Sequence, residues 1–504
     1  MSAQLKRSLT LYGLTMVAIG GTIGSGIFRT PGRIADAVHL PEYVIALWIL
    51  GGLVALTGAL TFAEMGSMFP GAGGLYVYLR EAYGDAVAFL YGWFILLIST
   101  SGAIAALALV CSEHILYLFG YGPGSGLAMP LAVGIVVFLS AVNILGVNVG
   151  EWIANIFTGA KLAGLLLIIL AGVFFANPMA ASTNAHTTFA HTPPANLWGA
   201  FALGFVGVLW SVGGWHHASY MAGETDNPQR NVPRAMMLGA AVVTLVYVLA
   251  NVAYMRLLPI ESIAKSSTVA ADAMSTVHRS FGNLMAVLIA LSTFGSTGIY
   301  CMTAPRIYYA MANDGIFFKK LADVHPKYRT PMNAILAQSA WSVLLLLAWG
   351  TFEAMVDYVT FIDFAGQVLV AMTIFTFRRS RPDAPRSYRT WGYPITPLVF
   401  IGICIWFIVF TLWRDSVQAW AGIAVVALGL PMYHYFATPA LAKHRAAFMG
   451  IFGTAVLAVA AFFKMGLPLR FLITAPILAG VFSAMLFLWK GGEDRKTDET
   501  EAAD

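Results

Sequence analysis

Two glycine-rich clusters interrupt apolar stretches of this sequence, and each could expose backbone groups to a small polar molecule. Residues 20–26 read GGTIGSG, and residues 210–217 read WSVGGWHH. Glycine destabilises a helix interior, so we expect a helix break at both clusters. A half-helix N-terminus presents free N–H groups that suit a carboxylate, and a half-helix C-terminus presents carbonyl groups that suit an ammonium ion. A pocket between the two breaks would therefore fit a zwitterion such as an α-amino acid.

Specific backbone groups follow from this scheme. The carboxylate is expected at the N–H groups of Ser25 and Gly26, and the amine at carbonyl groups near Ile23, Val212 and Gly213. The alternative for the first cluster is close helix packing through small residues, which explains the spacing of Gly20 and Gly24 but not the polar residues between them. The predicted substrate-binding residues are Thr22, Ile23, Gly24, Ser25, Gly26, Trp210, Ser211, Val212, Gly213, Gly214 and His216.

The composition indicates the kind of structure that must position these breaks. Hydrophobic residues make up 59% of the 504 residues and charged residues only 11%, against about 25% charged residues in an average soluble domain. A chain this apolar needs a lipid environment, which excludes a soluble enzyme, a nucleic-acid-binding protein and a disordered scaffold. The net charge of +5 comes without a dense basic block, so no nucleic-acid partner is expected.

Apolar stretches long enough to cross a bilayer as helices recur along the whole chain. The sequence thus predicts an all-α polytopic membrane protein, since helices satisfy their own backbone hydrogen bonds in lipid. The fourteen stretches are 11–37, 42–63, 86–119, 127–146, 152–176, 197–222, 232–258, 281–312, 332–350, 354–377, 394–413, 416–436, 446–463 and 468–489.

The two glycine clusters lie in the first and sixth stretches, which are matching positions of two five-span halves. This arrangement is typical of inverted-repeat transporters. The halves cover residues 11–176 and 197–377, and a basic loop at 378–393 leads to accessory spans at 394–489. Lys and Arg are concentrated in the loops on the side of the N-terminal segment 1–10, so we expect both termini, including a disordered tail at 490–504, in the cytoplasm.

Six ordered motifs resemble the amino acid–polyamine–organocation superfamily of permeases, most closely its L-type amino acid transporter branch and bacterial relatives. The resemblance implies a LeuT-like fold of 5+5 inverted repeats with about four further C-terminal spans, 12 to 14 in total. The motifs are GTIGSGIF at 21–28, FAEMGSMFPGAGGLYVYLREAYG at 62–84, GGW at 213–215, ETDNPQRNVPRA at 224–235, RIYYAMANDG at 306–315 and RRSRPDAPRSYRTWGYP at 378–394.

The resemblance also implies roles for individual residues. Trp210 occupies the position of the aromatic residue that closes over the substrate, with core packing as the alternative. Lys161 lies deep in the fifth span, where a charge is costly unless it is paired or reaches the surface. In some sodium-independent relatives a similar lysine replaces the sodium ion. Lys161 would then bond to carbonyl groups near Gly20 and Gly21 and to a hydroxyl of span 8, Ser292 or Thr293.

Five further residues are candidates for gating, coupling or recognition. Glu64 is expected to form ion pairs at an inner gate, and Glu224 and Arg230 either join such pairs near residues 313–315 or lie in a solvated loop. Asp363 could balance a cationic substrate, carry a proton or make a structural hydrogen bond. His216, where the eukaryotic L-type branch has Asn, could titrate, contact the substrate side chain or bond to the backbone.

The resulting hypothesis is a secondary-active transporter of the plasma (inner) membrane that exchanges neutral amino acids without sodium. The alternatives are proton-coupled symport, with cationic substrates included, and a transporter-like amino acid sensor. No enzymatic activity, cofactor or metal site is expected, because no catalytic or phosphate-binding motif is present. Residues 120–126 contain no cysteine, so no disulfide-linked heavy chain is expected, and the protein would act as a monomer or homodimer.

Overall fold

The computed structural model describes residues 5–122, 124–190, 196–349, 352–413 and 417–437. Within these ranges the chain is almost entirely helical, and its one β-type contact is an isolated bridge between Leu9 and Thr225. The all-α architecture predicted from the sequence is confirmed. The predicted spans at 446–463 and 468–489 and the tail at 490–504 lie outside the described residues.

Twenty α-helices follow one another along the described chain. A π-helical turn at Ile95–Ser99 joins α5 to α6 without an interruption. The helices are α1 (Leu11–Thr22), α2 (Gly26–Val38), α3 (Pro41–Met68), α4 (Leu75–Tyr83), α5 (Asp85–Phe94), α6 (Thr100–Leu118), α7 (Ala128–Ile144), α8 (Val147–Phe174), α9 (Pro178–Ala190), α10 (Leu197–Val212), α11 (His217–Tyr220), α12 (Pro228–Leu257), α13 (Ile260–Lys265), α14 (Val269–Val277), α15 (Arg279–Thr303), α16 (Pro305–Asn313), α17 (Met332–Trp349), α18 (Phe352–Ser380), α19 (Ile395–Trp413) and α20 (Val417–Ala437).

Nine helical segments of the described chain are long and apolar enough to cross a membrane, and three shorter apolar segments accompany them. These twelve segments coincide with the first twelve stretches that hydropathy predicts. Hydropathy does not predict the short helices α4, α9, α13 and α14, which lie in the connections between spans. Their sequences are too short or too polar to give a membrane signal.

Both predicted helix breaks are present. The first span is α1 followed by α2, and the residues between them, from Ile23 to Ser25, are not helical. The sixth span is α10, which ends at Val212, followed after a turn by the single-turn helix α11. Helix α1 packs against α8, α12 and α15, so these three helices surround the first break.

Candidate functional site

Side chains from the surrounding helices hold the backbone carbonyl groups of the first break. The hydroxyls of Ser292 and Ser296 on α15 are the main donors, and two tyrosine hydroxyls and Lys161 complete the set. The carbonyl acceptors and their donors are Gly20 (Lys161 Nζ at 2.7 Å and Ser296 Oγ at 2.9 Å), Gly21 (Tyr300 OH at 3.3 Å), Thr22 (Tyr247 OH at 3.1 Å), Ile23 (Ser296 Oγ at 2.9 Å) and Gly24 (Ser292 Oγ at 3.1 Å).

The N-terminus of α2 is the other half of this break. Its first amide groups have no acceptor within their own helix, because the preceding turn is missing. The Ser25 side chain at this end is fully buried, and its hydroxyl has no hydrogen-bond partner among the described residues. Buried polar groups are normally paired, so the Ser25 hydroxyl and these amides can still donate to a further acceptor.

The two breaks contact each other directly. Gly214 has a φ of +111°, which favours glycine, and a Cβ atom there would lie 2.5 Å from the Gly21 carbonyl oxygen. A Cβ atom on Gly26 would lie 2.8 Å from the Ser211 Cα atom. Close packing is therefore part of the reason for these glycines, in addition to the break itself.

A small cavity of about 30 Å³ lies beside the second break. It has room for about two water molecules in this conformation, so a larger ligand requires the surrounding helices to move apart. Its walls come from the π-helical turn, α6, α10, α11, α15 and α18 together with the loop between α10 and α11. The polar and glycine residues lining it are Ser99, Thr100, Trp210, Gly213, Gly214, His216, His217, Tyr300, Thr360 and Asp363.

Five predicted site residues thus meet at this cavity: Trp210, Gly213, Gly214, His216 and Asp363. The predicted residues from Thr22 to Gly26 do not line it, nor do Ser211 and Val212, although all of them are buried around the two breaks. Sequence reasoning missed five polar residues of the wall, namely Ser99, Thr100, His217, Tyr300 and Thr360. The polar residues at 99–100 within the apolar third span were the available signal.

Two neighbouring histidines, His216 and His217, line the cavity. His217 Nδ1 is 2.6 Å from the Thr303 hydroxyl, which fixes its ring. His216 is 2% exposed, and its Nδ1 has no hydrogen-bond partner within the described chain. The alternative in which this nitrogen bonds to the backbone is therefore not seen, and His216 remains available to a molecule in the cavity.

Lys161 on α8 is 1% exposed and points into the protein. Its ammonium group donates to the Gly20 carbonyl and to the Ser296 hydroxyl, each at 2.7 Å. The expected contact with Gly20 is present, and snorkelling to the surface is excluded. The second partner is a hydroxyl of span 8, as expected, but it belongs to Ser296: Ser292 bonds to the first break instead, and Thr293 bonds back to its own helix. One helical turn separates Ser292 from the observed partner, a difference that sequence position alone does not resolve.

Ion pairs gather at the end of the bundle that carries the first residues of α1. Glu64 on α3 lies 2.8 Å from Arg378 Nε and 3.1 Å from Arg386 Nε, and it accepts a bond from the Thr390 amide. This inner cluster, Glu64 with Arg378 and Arg386, ties α3 to the end of α18 and to the basic loop that follows. The ion pairs expected for Glu64 are present.

A second buried pair joins the segment after α11 to α16. Arg306 Nε lies 2.8 Å from Glu224, and both side chains are fully buried. Arg230 is exposed and forms none of the ion pairs found among the described residues, which agrees with the solvated-loop alternative. Arg306 lies 82 residues after Glu224 in the sequence. Local sequence therefore could not predict that the two side chains pair.

This bundle of membrane-spanning helices, with two facing helix breaks beside a polar cavity, has the architecture of a membrane carrier. Residues 9–433 match the family model described as amino acid permease. The chain belongs to the amino acid permease family, which confirms the resemblance drawn from the motifs.

Three members of this family show which proteins the chain is similar to. The serine/threonine exchanger SteT of Bacillus subtilis is 31% identical over 432 residues, covering 84% of this chain and 95% of the relative. The human large neutral amino acids transporter small subunit 2 is 30% identical over 440 residues, covering 85% and 80%. The human b(0,+)-type amino acid transporter 1 is 30% identical over 389 residues, covering 76% and 79%.

Proposed function

We propose that this protein is a secondary-active transporter that exchanges neutral amino acids by alternating access without sodium. The observation that carries the proposal is the buried ammonium group of Lys161, bonded to the carbonyl group of Gly20 beside the first helix break. The Lys161 amine donates a hydrogen bond at the place where a bound cation would otherwise coordinate these carbonyl groups. Transport of an amino acid in either direction then requires no bound ion in the site.

The substrate main chain binds between the two breaks in this proposal. The amides of Ser25 and Gly26 at the N-terminus of α2 hold the carboxylate, supported by the positive end of the helix dipole. The carbonyl groups at the end of α10, near Val212 and Gly213, hold the amine together with the carbonyl of Ile23. Trp210, whose side chain lines the cavity, closes over the bound molecule.

The inner cluster and the Glu224–Arg306 pair form the inner gate in this proposal. They join α3, α16 and α18 at one end of the bundle, so inward opening requires at least part of this network to separate. Substrate bound at the breaks changes the position of α1 relative to α8 and α15, because Lys161 and Ser296 connect these helices. Exchange follows if the empty carrier reorients slowly and the loaded carrier quickly.

The relatives support the same activity. Their names describe a serine/threonine exchanger, a transporter of large neutral amino acids and a b(0,+)-type amino acid transporter. These names and the absence of any catalytic motif favour a transporter over an enzyme. The cavity beside Gly213 and Gly214 is lined mainly by uncharged residues, which favours neutral substrates.

We further propose a plasma-membrane location with both termini in the cytoplasm, on the basis of the Lys and Arg distribution between loops. The described chain has three free cysteines, Cys111, Cys301 and Cys404, and all three are buried. None of them offers an accessible thiol for a disulfide with a partner subunit. We therefore expect the chain to function without a covalently attached heavy chain, as a monomer or homodimer.

The test is uptake of labelled amino acids by proteoliposomes that contain the purified protein. A panel of neutral amino acids is offered outside, with and without unlabelled amino acid inside. The proposal expects uptake of several neutral amino acids that depends strongly on the internal amino acid. Uptake that needs a pH gradient and no internal amino acid would favour proton symport, and saturable binding without flux would favour a sensor.

A further inference from the structure

Asp363 on α18 places a carboxylate in the wall of the cavity, about a third of the way along its helix. Two neutral groups donate to it: the Ser99 hydroxyl lies 3.1 Å from Oδ1, and the Gln367 side-chain amide lies 2.6 Å from Oδ2. None of the ion pairs formed within the described ranges includes Asp363. Each of its oxygens retains a lone pair for a further donor.

A carboxylate within a membrane span is costly unless a proton or a positive charge compensates it. Two Lys and Arg residues are buried in the described chain, and both are already engaged. Lys161 is bonded to Gly20 and Ser296, and Arg306 is paired with Glu224. Within the described chain, the Asp363 carboxylate therefore lines the cavity without a Lys or Arg side chain paired to it.

The remaining titratable groups close to Asp363 are aromatic. They are the phenol groups of Tyr91 on α5, Tyr220 on α11 and Tyr300 on α15, and the imidazole of His216 before α11. Tyr91 and Tyr220 bond to each other at 2.9 Å, and Tyr300 bonds to the Gly21 carbonyl. His216 is the exception, because its Nδ1 is buried and unpartnered within the described chain.

Two kinds of polar group therefore line the cavity. Gly213 and Gly214 present backbone, whereas Asp363 presents a carboxylate bonded only to neutral donors and His216 presents an unpartnered Nδ1. A molecule whose main-chain groups occupy the breaks would direct its side chain along this wall. This step rests on the function proposed above.

We propose that Asp363 is a specificity-determining residue that pairs with the cationic side chain of an amino acid such as lysine, so that the carrier also exchanges cationic amino acids. The side-chain ammonium supplies the missing positive charge, and Ser99 and Gln367 hold the carboxylate in position. His216 donates to or accepts from neutral side chains that do not reach the carboxylate.

The test compares labelled lysine with labelled serine in proteoliposomes loaded with unlabelled serine. The wild-type protein is expected to exchange both. Asp363→Asn should lower the ratio of lysine to serine exchange at least about tenfold, because the variant loses one partner of a charge pair. Asp363→Glu retains the charge and should retain a higher ratio than Asp363→Asn. Asp383→Asn makes the same chemical change at an exposed position of the basic loop and should leave the ratio unchanged.

Two results overturn this inference alone: serine exchange by the wild type without lysine exchange, or an unchanged ratio in Asp363→Asn. Loss of a pH-gradient effect on serine uptake in Asp363→Asn, without lysine exchange by the wild type, would assign the carboxylate to proton binding instead. Absence of both serine and lysine exchange would overturn the proposed function as well. The wild-type comparison decides the matter even if a variant fails to fold.

Discussion

The ammonium nitrogen of Lys161 lies 2.7 Å from the carbonyl oxygen of Gly20, three residues before the first span breaks. Ser296 donates to the same carbonyl and accepts from the same ammonium group. Helices α1, α8 and α15 therefore meet at one polar point in an otherwise apolar bundle. A movement of α1 during transport must stretch or break these bonds, which makes the contact a natural place for coupling.

Replacing Lys161 with Met removes this contact and the buried amine. We expect amino acid exchange to fall roughly 5- to 150-fold, the range of typical coupling free energies, while the protein remains folded because Ser296 still bonds to Gly20. The measurement is exchange in proteoliposomes together with size-exclusion chromatography. Lys265→Met, the same change at an exposed position of α13, is the control. Undiminished exchange by Lys161→Met would contradict the coupling role.

Gly214 and Gly213 should respond differently to Ala. Gly214 has a positive φ, and its Cβ would collide with the backbone of Gly21, whereas a Cβ on Gly213 would make ordinary contacts at 3.4 Å. We expect Gly214→Ala to lower the free energy of unfolding by about 1–3 kcal/mol or more. Gly213→Ala should melt close to the wild type. Equal melting temperatures for the two variants in detergent would show that the breaks are not in close contact.

Removing the charge of Glu64 should loosen the inner cluster. Glu64→Gln weakens the attraction to Arg378 and Arg386, so inward-open conformations should become more populated. Ala103 lines the cavity and is 2% exposed. A cysteine substituted for Ala103 should therefore react several-fold faster with a thiol reagent when Glu64→Gln is also present. The native cysteines are buried and provide a low background. Glu261→Gln at an exposed site on α13 should leave the labelling rate unchanged, and an unchanged rate in Glu64→Gln would argue against the gate.

The buried pair of Glu224 and Arg306 predicts a non-additive stability effect. Arg306→Met leaves a carboxylate buried without its partner, which costs about 3–5 kcal/mol in typical cases. Adding Glu224→Gln removes that charge and should restore part of the lost stability, as measured by thermal melting of the single and double variants. Additive losses would mean that the two side chains do not interact in the folded protein.

The helix breaks could be predicted because glycine acts locally. The runs at 20–26 and 213–214 weaken a helix whatever surrounds them, and the structure breaks at both. The hydroxyl partner of Lys161 could not be predicted, because Ser292, Thr293 and Ser296 lie within little more than one turn and only packing selects among them. Arg306 was missed for a related reason: its partner Glu224 is remote in sequence, and the nearby Arg230 looked equally suitable.

The residues that line the cavity were the hardest to predict from the sequence, because only the tertiary structure brings them together. The π-helical turn at Ile95–Ser99 adds a residue to the third span and turns Ser99 toward Asp363, and its residues are ordinary helix formers in lipid. The carboxylate was a candidate from the sequence because charge is rare within spans. Its neighbours Thr100, Thr360 and Tyr300 have no such signal, since single hydroxyl residues are common in membrane helices.

Exchange of neutral amino acids without sodium can be measured on the wild-type protein alone. Proteoliposomes loaded with unlabelled serine take up labelled serine from a medium that contains either sodium chloride or choline chloride. We expect equal initial rates in the two media, and little uptake into vesicles without internal amino acid. Uptake that disappears in choline chloride would show that transport requires sodium and that Lys161 does not replace this ion.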